Sequence, residues 1–93
     1  MKLEDIEQVK KYYTEFTIVW QDIKYTHPAP HRLITEFLEY VKEEFSFPVS
    51  VYDNLETTFL NTVWNFIARY KKVGLRFIEY FLKYHADGIK KGN

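Results

Sequence analysis

Between residues 54 and 85 apolar and aromatic side chains recur at helical spacing almost without interruption. Leu60, Val63, Ile67, Tyr70, Gly74, Phe77, Phe81 and Tyr84 follow the alternating three-and-four spacing of one helical face. A second stripe, Phe59, Trp64 and Phe66 followed by Leu75, Ile78 and Leu82, widens that face beyond one side. Residues 57–68 carry no charge. Such a segment is expected to be the central element, touched by several neighbours.

Residues 3–25 place Ile6, Val9, Tyr13, Phe16, Trp20 and Ile23 on one face, with Tyr12, Ile18 and Val19 beside it and Glu4, Glu7, Glu15 and Asp22 opposite. Aromatic rings at half of the face positions fit a globular bundle better than a regular zipper. The run His27-Pro28-Ala29-Pro30 must stop this helix, because each residue before a proline is pushed out of helical geometry. Pro30 then suits the first turn of a second helix over 30–45, with Leu33, Ile34, Phe37, Leu38, Val41 and Phe45 inward. Residues 46–52 alternate like a strand but are short and contain a proline, so they are expected to form an extended loop. Asp53 and Glu56 have the spacing of a capping box at the start of the next helix.

Gly74 is the open point. Lys71 and Lys72 before it suit a helix end, and glycine suits the left-handed residue that closes one, yet the apolar phase continues across it. The expected fold is therefore all-α, an antiparallel bundle of three or four helices over about 3–25, 30–45, 54–73 and 75–86, the last two either separate or one kinked helix. Asp87-Gly88 is expected to end the last helix. The 93 residues should form a single domain.

Charge changes this picture. The formal net charge is zero, but residues 1–56 hold six Lys or Arg against eleven Asp or Glu, and residues 57–93 hold seven against two. Either the halves neutralise one another or the basic half faces an anionic partner. Arg69, Lys72, Arg76 and Lys83, with Tyr80 among them, form one cationic stripe on a continuous or mildly kinked helix and are the candidate partner-binding residues. Eighteen aromatic rings exceed what one small core commonly buries, and Tyr12, Tyr25, Tyr40, Tyr52 and Tyr80 lie off the best faces.

Little points to catalysis. Cysteine is absent, which excludes disulfides, thiolate metal sites and a thiol nucleophile. His27 and His31 fall in a proline turn without a third ligand at matching spacing, so no metal site is expected and the turn reads as a solvated linker. His85 and Asp87 could pair as base and orienter, but no nucleophile stands near them. The three glycines are isolated, which excludes a phosphate-cradling loop, and no cofactor is expected. No apolar leader or membrane-spanning run is present, so a cytoplasmic protein is expected.

In size, lack of cysteine and helical layout the chain is similar to the immunity proteins of pediocin-type bacteriocins, antiparallel helical bundles that guard a producing cell from its own peptide. That resemblance covers layout and implies no site residue. Small phage-encoded inhibitors of host or defence complexes share the format. The expected function is stoichiometric binding of a protein partner, without turnover, by an inhibitor or anti-defence protein of phage or mobile-element type, and a homodimer is the expected oligomer. A nucleic-acid-binding module and a bacteriocin immunity protein are the alternatives. A pI near 6.8 weighs against nucleic acid.

Overall fold

The computed structural model describes residues 3–92, with side chains described over 4–85. Three helices follow one another, α1 (Leu3–Thr26), α2 (Pro30–Phe45) and α3 (Leu55–Gly92), and no strand forms among the described residues. Each of α1 and α2 packs closely on α3 and only weakly on the other. The all-α bundle expected from the hydrophobic pattern is the observed architecture.

The helix boundaries follow local chemistry. Pro30 occupies the first turn of α2, where its missing N–H costs nothing. Ser46 closes α2 in the left-handed conformation, φ 50°, and the Phe47 N–H returns to the Val41 carbonyl at 3.0 Å while the Phe47 ring enters the core. The loop then runs extended to α3, held where the Thr58 hydroxyl accepts the Tyr52 N–H at 2.8 Å. Asn54, not Asp53, caps α3: its side-chain oxygen accepts the Thr57 N–H at 3.1 Å. Glu56 does not reach back to complete a capping box, because it is engaged across the bundle by Trp20 and Lys24.

The chain does break within α3, but at Lys71 and not at Gly74. Lys71 has φ 56° and ψ −132°, and the two arms, 55–70 and 72–92, bend sharply back on one another. Phe37 makes the reversal plain, since its ring lies 5.4 Å from both Phe59 and Phe81. On a straight helix those two residues would be separated by roughly 33 Å at 1.5 Å per residue. The Lys71 ammonium donates to the Ala68 carbonyl, satisfying a group that the bend exposes. Gly74 has no positive φ. Its role is clearance: an added Cβ would stand 3.1 Å from the Phe66 carbonyl oxygen and 3.0 Å from the Tyr70 Cβ. Glycine is needed here because two backbones meet. The helix also continues past Asp87-Gly88 to Gly92, as glycine disfavours helical geometry without forbidding it.

The core is one cluster. Val9, Phe16, Trp20 and Ile23 of α1 and Leu33, Ile34, Phe37, Leu38 and Val41 of α2 are buried against Phe59, Val63, Phe66 and Ile67 of the first arm and Leu75, Ile78, Phe81 and Leu82 of the second. Trp64 is only half-buried, and Phe45, expected inward, is partly exposed beside the reversal.

Two substitutions test the reversal by urea unfolding. Gly74→Ala is expected to cost about 1–3 kcal/mol, since the contact is with backbone that can yield little. Lys71→Gly is expected to stabilise by about 1 kcal/mol, because glycine alone adopts that backbone conformation without strain.

Candidate functional site

The second arm of α3 lies antiparallel to α2, with Glu36 meeting His85, Tyr40 meeting Phe81 and Phe77, and Phe45 meeting Phe77. Two clefts open here, a groove between the two helices and a second cleft at the reversal. The first, of about 290 Å³, is lined by Tyr40, Phe77, Tyr80, Phe81, Tyr84 and His85. The second, of about 120 Å³, is lined wholly by apolar or aromatic residues, among them Phe45, Tyr70 and Val73, and shares Phe77 with the first. On its rim Tyr80 is 70% exposed, Tyr84 61%, Tyr40 40%, Val73 75% and Phe45 39%. These exposed side chains give the face a largely apolar rim.

The walls differ in charge. On α2, Tyr40 is bracketed by Glu36 four residues before it and by Glu43 and Glu44 three and four after, positions that share a helix face. On the second arm, Tyr80 is bracketed by Arg76 and Lys83 at the same offsets. Arg76 and Lys83 form no ion pair among the described residues, and neither does Lys72. The basic residues therefore do not pair directly with the acidic helices. Arg69 stands apart, exposed on the first arm with its guanidinium 5.5 Å from the Tyr70 ring. The reversal at Lys71 divides the expected stripe, leaving Lys72, Arg76, Tyr80 and Lys83 together on one arm. Tyr84 was expected to face inward. It lies on the rim, since α2 covers the Phe77, Phe81 and His85 edge of this arm.

Of the other exposed tyrosines, Tyr25 and Tyr52 lie outside the groove linings and Tyr12 is half-buried. His27 is not the solvated linker residue expected from its prolines. Its ring is 8% exposed, Nδ1 accepts the Ala29 N–H at 3.0 Å, and burial holds its pKa below the usual imidazole value. His31 is exposed on the first turn of α2, so the two imidazoles do not share an environment. The His85 Nδ1 lies 3.1 Å from Glu36, a carboxylate that also has Arg32 at 3.8 Å, while the expected pairing with Asp87 falls outside the described side chains.

Two carboxylates between α1 and α3 have opposite settings. Glu56 accepts hydrogen bonds from Lys24 at 2.9 Å and from the buried Trp20 indole at 3.0 Å, which hold its pKa below the usual carboxylate value. Glu79 is pushed up by burial and by the facing Glu15 carboxyl, against the pull of Lys83 and Arg76. The Glu56 contacts fasten α3 to α1, whereas the Glu79 charge facing Glu15 works against that contact. Neither lies in the groove.

Among the described residues no helix is long and apolar enough to cross a membrane. No protein-family model, curated protein or solved structure matches the chain.

The carboxylates give two expectations for stability. Glu56→Ala should cost about 1–3 kcal/mol in urea unfolding, because it leaves the buried indole N–H unpaired. For Glu79 the folded pKa lies above the unfolded one, so its favourable contribution is present at low pH and lost as pH rises through the folded value. Glu79→Gln should therefore raise the thermal midpoint at pH 7, and the gain should shrink as the pH falls through the folded value and be lost below about 4.5.

Proposed function

We propose that the chain is a non-catalytic binding protein that acts stoichiometrically, docking another protein on the groove between α2 and the second arm of α3. One observation carries this reading: three tyrosines, Tyr40, Tyr80 and Tyr84, stand exposed and contiguous around an apolar cleft, at a surface cost that folding alone does not require. Tyrosine supplies large amphipathic contact area at low entropic cost, which is why it concentrates in binding hot spots. Lys72, Arg76 and Lys83 along one margin suit an acidic surface on the partner, steering encounter more than adding affinity.

Unpaired basic residues beside an exposed tyrosine also favour a second reading, in which the arm contacts phosphates and Tyr80 stacks on a base. The opposite wall opposes it. Glu36, Glu43 and Glu44 border the same groove and would repel a polyanion lying along it.

A photoreactive benzophenone amino acid at position 80, with position 25 on α1 as an equally exposed control, separates the readings in the source cell. Protein adducts of defined mass from position 80 alone are expected. Equal adducts from both positions, or adducts with nucleic acid, overturn the proposal.

A further inference from the structure

We infer that the protein docked in the groove is a second copy of this chain, placed by a two-fold axis running along the groove; this rests on the groove being a protein-docking face. The argument is the arrangement of charge about the two tyrosines. Tyr40 has Glu36 at the fourth position before it and Glu43 at the third after, and Tyr80 has Arg76 and Lys83 at those offsets. Rotation about an axis along the groove exchanges the walls while keeping each residue at its own height, so the acidic wall of one copy meets the basic wall of the other. Because α2 and the second arm run antiparallel, with Glu36 level with His85 and Tyr40 level with Phe77 and Phe81, the facing order is also reversed. Glu43 then stands opposite Arg76 of the second copy, Tyr40 opposite Tyr80, and Glu36 opposite Lys83. Every acidic bracket meets a basic one, and by symmetry each contact forms twice.

Two further observations agree. The formal net charge is zero, so two copies approach without net repulsion. The exposed rings of Tyr40, Tyr80 and Tyr84, with charged residues on both margins, have the composition of an apolar core inside a polar rim. A foreign partner would have to carry the same division of charge in mirror order. A second copy carries it by construction.

Sedimentation equilibrium of the purified chain over about 1–200 μM, a range that brackets micromolar association, tests this directly. A dimer is expected, weakened about tenfold or more by Arg76→Glu and by Glu43→Lys singly, as coupled charges at an interface behave. The double variant E43K/R76E restores the facing pairs in opposite sense and is expected to return to within about threefold of the wild type. Circular dichroism of each variant confirms that these exposed substitutions leave the helices intact. A monomer throughout the range, or a double variant no tighter than the singles, overturns the inference. Position 80 then tells the two failures apart: adducts with a foreign protein keep the docking face and remove the second copy, whereas no adduct removes both.

Discussion

The structure depends on one close approach, that of the backbone at Gly74 to the Phe66 carbonyl. An added Cβ at Gly74 would stand 3.1 Å from that oxygen, so the return of α3 upon itself is tightest, and least strained, where a side chain is missing. Lys71 accepts an unfavourable backbone conformation three residues earlier, and the pairing of the two arms over a shared core outweighs that local strain. The bend places the two arms on either side of α2, which is what permits one ring, Phe37, to touch Phe59, Phe66 and Phe81 together. A straight α3 would leave half of its apolar length without cover.

The same bend produces the groove. The second arm runs antiparallel to α2, and α2 covers only its Phe77, Phe81 and His85 edge. Tyr80, Tyr84 and Val73 remain on the open side, with the basic residues beyond them. Charge in this molecule is therefore organised across a surface cleft. Among the described residues the ion pair that crosses from α1 to α3, Lys24 with Glu56, lies elsewhere and serves the buried indole of Trp20. The open rim of Tyr80, Tyr84 and Val73 stands outside the core cluster, while Phe77 and Phe81 serve both the packing and the groove lining.

Much of this was legible in the amino-acid order. Helical periodicity determined the all-α class, a bundle of three or four helices and most of the inward faces of α1 and α2, Phe45 excepted, because burial of an apolar stripe needs only the right spacing; the two prolines placed the turn between them. The aromatic surplus pointed to exposed rings, and Tyr40 and Tyr80 were among those found. The reversal was harder to place. A lysine in a glycine-type conformation has no sequence signature, and a glycine that serves for clearance looks the same as one that serves for a left-handed cap.

Tertiary structure decided what depends on which surfaces meet. It turned Glu56 from a cap into a partner for Trp20 and Lys24, since an ion pair with a buried donor outcompetes a local backbone contact. It buried His27 and exposed Tyr84 at the margin of α2, although the sequence implied the reverse for both. It also divided the basic stripe, leaving Arg69 on one arm and Arg76, Tyr80 and Lys83 on the other. Spacing along a chain reports which residues share a face of one helix. Where that helix bends, and which neighbour then covers the face, is set by backbone clearances between residues that only folding brings together.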